Sequence, residues 1–436
     1  MSAAGSADPI FAEIAAALDA GLGGVEGALG LAVSGGGDSV ALLHLAALWA
    51  RGRALEVATV DHGLRPESAA EARAVAEAAA ALGFRHETLA WRGWRGDGNL
   101  QAEAREARRR LLGEWARRRG LAAVALGHSM DDQAETVILR LGRGAGVDGL
   151  SAMAARSEAE GTVWLRPLLG VGRAALRAWL EARGIGWAED PSNEDPRFDR
   201  VRARRALGAL APLGVTAEGL SATAERMRGA REALDQSAAT LAAAAAEWGP
   251  CGELRLAIAP LRDAPRELSR RLLRAGLTCA SGASYGPRAE MEAQLLSAML
   301  SRRLGGGRSL HGCLIRPDGP SHVVIAREAA AVDPAPAPLT AEGLVWDGRF
   351  AVAPDRDAAA EDRVAALGEA GALRLSALAE AGIWRAPPHW AAAPRAARIT
   401  TPALWRGADL AAAPVAGYGR AATARFLGAD AGWPAG

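Results

Sequence analysis

Six consecutive residues, Ser34-Gly-Gly-Gly-Asp-Ser39, carry the strongest chemical signal in the chain. An apolar, strand-like run precedes them and a helix-like run follows. Glycines in such a turn let backbone N–H groups close around a phosphate. The start of the following helix adds partial positive charge. Ser34 and Ser39 supply hydroxyl donors beside Gly35, Gly36 and Gly37. Asp38 would repel a phosphate unless a cation lay between them, which makes it a candidate Mg2+ ligand. A bare glycine triplet would equally serve as an ordinary strand-to-helix turn. The chain contains no Lys at all, so every cation is Arg. That excludes a phosphate loop of the Walker type, whose Lys reaches the phosphates, and any lysine nucleophile. Pyrophosphate would here be held by backbone and hydroxyl groups.

A second group is His128-x-x-Asp131-Asp132-x-x-Glu135. His128 and Asp132 are four apart and Asp132 and Glu135 three apart, so their side chains can share one mouth if a helix starts there. Carboxylates so placed can bind Mg2+. Asp131 and Asp132 could also simply cap the helix, the reading favoured for Asp131. Arg105 and Arg108 share a helix face and could clamp phosphates. Arg109, Arg110 and Arg117–Arg119 read as a solvated basic face. Arg200 and Arg204, one turn apart, could track the phosphates of a nucleic acid or lie on a surface helix. For His62 a place near a nucleoside and a structural hydrogen bond stand open.

The elements that must position these groups alternate. Strand-like runs at Ala28–Ser34, Leu55–Asp61, Arg85–Trp91 and Leu121–His128 are separated by helix-like runs at Ser39–Trp49, Glu67–Leu82 and Leu100–Arg119. Another helix is expected at Asp131–Leu141. Asn99 is a plausible helix cap. This order predicts an α/β fold with a doubly wound parallel sheet, whose ligands bind at the carboxyl edge of the strands. A helix at Arg173–Arg183 and a loop from Glu189 to Pro196 follow. Residues 216–304 read as helical, and His311–Arg327 as a hairpin turning at Pro317–Pro320.

The balance of charge changes along the chain: −5 over residues 1–196, +7 over 197–308 and −1 over 331–436. A basic middle suits a polyanion or a set of solvated Arg-rich faces. The expected domains are 1–205, a catalytic domain; 206–328, a helical domain ending in the hairpin; 329–338, an Ala/Pro linker; and 339–436, a small domain with some strands. Three cysteines without a CxxC pair argue against disulfides and thiolate zinc and fit a reducing cytoplasm. No run is apolar enough for a membrane span. The first 24 residues carry acids and no base, unlike a signal peptide. With 13 Trp against two Tyr and five Phe, Trp is the default large core residue, and Trp91 and Trp94 are read so.

Ser34-Gly-Gly-x-Asp-Ser39 resembles the pyrophosphate loop of the N-type ATP pyrophosphatases. Val60-Asp-His-Gly-Leu-Arg-Pro-Glu-Ser68 and Gly127-His-Ser-Met-Asp-Asp-Gln-Ala-Glu-Thr136, running on to Gly149-Leu-Ser-Ala-Met153, narrow this. Together they resemble the bacterial tRNA(Ile)-lysidine synthetases over residues 28–205, with a weaker match over 206–330. The resemblance implies the PP-loop fold, ATP and Mg2+ as cofactors, and tRNA(Ile) with a CAU anticodon and free L-lysine as substrates. It implies that ATP adenylates O2 of the wobble cytidine and that the lysine amine displaces AMP, which turns AUG reading into AUA reading. His128 would then contact the target base, Asp132 and Glu135 would serve adenylation, Asp38 and Glu135 would hold the metal, and Arg105 and Arg108 the phosphates. Asp132 is the candidate to position or deprotonate the amine. Asp190-Pro-Ser-Asn193 with Arg197, Arg200 and Arg204 resembles the motif that closes the catalytic domain, although Val201 stands where the family has Asn. Arg109 likewise replaces an aromatic. A homodimer is left open. The competing readings are a PP-loop enzyme of amide synthesis or tRNA sulfuration, and a non-catalytic nucleotide- or RNA-binding protein. The cysteine usage disfavours sulfuration. A retired site would have lost Asp38, Asp132 or Glu135, and all three are present.

Overall fold

The structure, a computed structural model, describes residues 9–50, 52–63, 67–92, 100–159, 161–189, 195–428 and 433. Asn99, Trp94 and Asp190–Asn193 lie outside these residues. The chain divides into two compact units, 1–231 and 232–436.

The first unit is built on a six-stranded sheet. Its elements are α1 (Pro9–Leu22), β1 (Leu29–Ala32), α2 (Gly37–Ala50), β2 (Leu55–Asp61), α3 (Ser68–Ala81), β3 (Arg85–Ala90), α4 (Leu100–Arg119), β4 (Ala123–Leu126) and α5 (Met130–Leu141). A short helix α6 (Val147–Leu150), strands β5 (Arg156–Ala159) and β6 (Thr162–Leu165), and helices α7 (Arg173–Glu181) and α8 (Asp199–Leu210) follow, and α9 (Ala217–Ala245) begins in this unit. The strand order is β3-β2-β1-β4-β6-β5. All neighbours run parallel except β5 against β6. This is the doubly wound arrangement that the alternation of strands and helices predicts.

Both faces of the sheet are covered, as a parallel sheet requires. Ile14 and Leu18 of α1, Leu42 and Leu45 of α2, Val75 of α3 and Trp179 of α7 pack on Leu29, Leu31 and Val57. On the other face Leu112 and Trp115 of α4 meet Ala32, Ala58 and Val124. Trp115 lies so close that a Cβ on Gly30 would stand 2.6 Å from its ring. The chain winds β1 to β3 in one direction and then places β4 on the other side of β1. The loops after β1 and β4 therefore diverge and leave a crevice at the carboxyl edge, the place where ligands bind in such sheets.

The second unit departs from the helical reading of 216–304. Strands β7 (Ala246–Trp248) and β8 (Leu254–Ala257) interrupt the helices, followed by α10 (Ile258–Asp263), α11 (Arg266–Ser281) and α12 (Ala289–Leu300). The expected hairpin is present as β10 (Cys313–Asp318) and β11 (His322–Arg327), with β9 (Arg308–Leu310) beside it. These five strands form one sheet because β8 pairs with β11, Leu254 opposite Ile325. In the linker segment, Ala337 and Pro338 pair with Val364 and Arg363 and so join the C-terminal sheet. Beyond it, Trp346, Phe350, Val364 and Leu404 lie in a core that also takes in Cys251 and Ala326. All three cysteines are buried and free. No helix among the described residues is long and apolar enough to cross a membrane.

Candidate active site

Ser34 to Ser39 form the turn from β1 into α2. Gly35 has φ +92°, which only glycine adopts without strain. The Ser34 amide donates to Ser39 Oγ at 3.1 Å, and Ser39 Oγ donates to the Gly36 carbonyl at 2.8 Å. The Ser39 proton is thus committed, so Ser34 is the donor in the 3.2 Å contact between the two hydroxyls. These bonds and the Ser39 amide, which donates to the Gly36 carbonyl at 3.0 Å, hold the loop in a closed curve while the N–H groups of Gly37 and Asp38 stay without intrahelical partners. The loop after β4 lies against it. A Cβ on Gly127 would sit 2.8 Å from Ser39 Cα and 2.9 Å from the Asp38 carbonyl.

Asp38, at the start of α2, meets the start of α5 here. Ser129 Oγ lies 3.1 Å from Asp38 Oδ2 and 3.2 Å from Asp132 Oδ2. Ser129 is the cap of α5, and its amide donates to Asp132 Oδ2 at 2.9 Å, completing a capping box. Asp132 thus has the capping role that the spacing allowed, and more besides. Its Oδ1 accepts from Arg173 and Arg200, each at 3.3 Å. Asp131 does cap a helix, but not its own: it accepts the Arg173 amide at 2.7 Å, at the start of α7. Glu135 is buried, and its Oε1 accepts from Arg173 at 3.3 Å and from Arg204 at 2.9 Å. Its other oxygen, Oε2, is buried without a hydrogen-bond partner.

The charges tune one another. Burial pushes the Asp38 carboxyl above its usual range against the opposing pull of Arg173, and the neighbouring Asp132 adds to the rise. Burial also works against the Asp132 carboxylate, yet Arg200, His128 and Arg173 hold it below its ordinary value. For His128, burial together with Arg200 and Arg108 outweighs the attraction of Asp132 and pushes the imidazole down to about 3. It is therefore neutral near pH 7, with a buried, unpartnered Nδ1. Arg105, Arg108 and Arg200 feel one another's charge, so α4 and α8 bring cations to the same edge. His62 is also pushed down, first by burial and then by Arg108. Its ring lies edge-on to Trp91, 5.8 Å away, and Trp91 is buried as a core residue. Of the other cations on α4, Arg119 forks onto Glu56 with two 2.7 Å bonds.

Three separate stretches of sequence thus meet at one sheet edge. A family model described as a PP-loop domain matches residues 12–210. The tRNA(Ile)-lysidine synthase of Ruegeria pomeroyi is 48% identical over 400 residues, 91% of this chain and 91% of that one. The chain belongs to the tRNA(Ile)-lysidine synthase family. Further members are similar to it: that of Rhodopseudomonas palustris is 51% identical over 212 residues, 48% of this chain and 61% of that one. That of a Bradyrhizobium species is 40% identical over 329 residues, 71% of this chain and 90% of that one. As tRNA(Ile)-lysidine synthases are ATP-dependent ligases of the PP-loop type, the chain is an enzyme of that class.

Within this lysidine synthase fold the loop residues, Asp38, His128, Asp132 and Glu135 converge as their spacing suggested. Arg200 and Arg204, for which the sequence leaves nucleic-acid phosphates and a surface helix open, pair with Asp132 and Glu135, which places both in the charge network of the site. Two participants were missed. Ser129 carries no role in the sequence reading of Gly127–Thr136. For Arg173 the sequence predicts only the start of a helix. Its signal was a cation at the first position of α7, where the helix dipole disfavours one.

Proposed function

We propose that this site adenylates O2 of the wobble cytidine in the CAU anticodon of tRNA(Ile) and then joins free L-lysine to C2 of that base. In the first step O2 attacks the α-phosphorus of ATP and pyrophosphate leaves. In the second the lysine amine attacks C2 and AMP leaves. The observation that carries this reading is the meeting of the phosphate loop with Asp38, Asp132 and Glu135 at the carboxyl edge of β1 and β4.

The residues divide the work by their chemistry. Backbone N–H groups from Gly35 to Asp38, at the start of α2, hold the phosphates. Arg105 and Arg108 balance the charge of the leaving pyrophosphate. His128, neutral and with a free Nδ1, offers a hydrogen bond to the base without adding charge. Asp38 and the unpartnered Oε2 of Glu135 are hard oxygen ligands that fit Mg2+, which takes one or two carboxylates and completes its shell with phosphate and water. Bound there, Mg2+ would neutralise phosphate charge. Asp132 is kept ionised by Arg200, the Ser129 amide and Arg173, so it is a weak base. Its role here is to position the base-binding edge rather than to take the amine proton.

Pyrophosphate exchange into ATP, measured with purified tRNA species with and without lysine, tests the reading. Exchange should need tRNA(Ile) with a CAU anticodon and should not need lysine. Asp38→Asn should abolish it with the fold intact. Near-normal AMP formation by that variant would remove Asp38 from the reaction.

A further inference from the structure

Arg173 has no part in the steps above, yet it makes more contacts to the site carboxylates than any other residue described. Its Nε lies 3.0 Å from Asp38 Oδ2, Nη2 3.3 Å from Asp132 Oδ1 and Nη1 3.3 Å from Glu135 Oε1. Its amide reaches Asp131. The side chain is 18% exposed. Arg200 and Arg204 are paired with Asp132 and Glu135 respectively. Arg173 also reaches Asp38, and so it joins the phosphate loop to α5.

Its location argues the same way. A cation at the first turn of a helix is disfavoured by the dipole, and the cap residue, Gly172, has no side chain to help. Local preference is broken where the site gains. Three carboxylates held together repel one another. A planar guanidinium, always charged and with donors in a fixed fork, can satisfy all three at once, which a single ammonium on a flexible stem does less well.

We propose that Arg173 is a positioning residue for adenylation: it fixes the Asp38 carboxylate of the phosphate loop relative to Asp132 and Glu135, so that the phosphate-binding and base-binding sides keep one geometry. This rests on the function proposed above. A displacement of about 1 Å in such a site costs on the order of 10²-fold in rate.

The test compares wild type, Arg173→Ala and Arg173→Lys in pyrophosphate exchange, together with thermal melts. For Arg173→Ala, kcat should fall about 100-fold while KM for ATP changes less than about threefold. Millimolar guanidinium ion should restore at least about tenfold of the loss, which a purely structural defect would not allow. Arg173→Lys keeps a charge and should melt like wild type, with kcat down about tenfold. Wild-type kcat in either variant overturns the proposal, as does a loss in Arg173→Ala that guanidinium leaves untouched. An inactive wild type would instead overturn the functional reading, and this proposal with it.

Discussion

Gly127→Ala tests the close approach on which the site depends. The added Cβ would meet Ser39 Cα at 2.8 Å, the Asp38 carbonyl at 2.9 Å and Ser39 N at 3.0 Å. Non-bonded carbon atoms sit at about 3.5–4.0 Å, so the loop after β4 and the start of α2 must part by about 0.7–1 Å. None of the three atoms can swing aside, because all are backbone and Ser39 is buried. Overpacking of this kind costs about 1–3 kcal/mol. In a unit of this size each kcal/mol lowers Tm by about 2–4 °C, so a drop of about 2–12 °C is expected. The same displacement separates His128 and Asp132 from the phosphate loop, for which a loss of about 100-fold in pyrophosphate exchange is expected. Gly36→Ala is the control. Its Cβ would find only Ser34 Oγ, at 3.9 Å, so Tm should hold while KM for ATP rises as the methyl enters the phosphate cradle. Differential scanning calorimetry and exchange assays read both effects. A Gly127→Ala protein with wild-type Tm and wild-type exchange would refute the close approach and the geometry built on it.

Three further outcomes follow from the charges. The unfolded His128 imidazole takes up a proton below about pH 6.5, whereas the folded one resists until about 3, so acid favours unfolding across that window by up to about 1.4 kcal/mol per pH unit. His128→Gln should therefore show a flatter loss of stability with acid in urea titrations, and an unchanged slope would mean that the ring is not buried neutral. Asp132→Asn should slow adenylation but transfer lysine at nearly the normal rate from a trapped adenylated tRNA, because the carboxylate is too weak a base for the amine; a selective loss of transfer in single-turnover assays would restore it as that base. Affinity for tRNA should fall steeply with salt if the basic stretch 197–308 contacts phosphates. Arg255→Gln and Arg288→Gln, removing cations outside the carboxylate cluster, should flatten that dependence; a filter-binding slope unaffected by both would locate the phosphate contacts elsewhere.

Much of the first unit was determined by the sequence alone, for a local reason. Strand and helix periods alternate from Ala28 to Leu141, and a parallel sheet buried on both faces needs only continuous apolar runs at that spacing. Helix α4 and strand β2 match their expected limits residue for residue. Ser34–Ser39 and His128–Glu135 were legible because glycines, hydroxyls and acids at a strand-to-helix turn have few other uses. What tertiary structure decided is non-local. Strands β7 and β8 are short and lie among good helix formers, and they exist as strands because β8 finds β11 some seventy residues later. Sequence spacing placed Arg200 and Arg204 on one helix face but could not say what that face meets, and α8 packs them on the acids of α5. Arg173 is the extreme case. Its neighbours in sequence describe only a helix, while its partners lie 135, 41 and 38 residues away and are assembled by the order of the strands. Spacing along a chain can place groups on one element; which charges face one another across the crevice is set by how the sheet brings separate elements together.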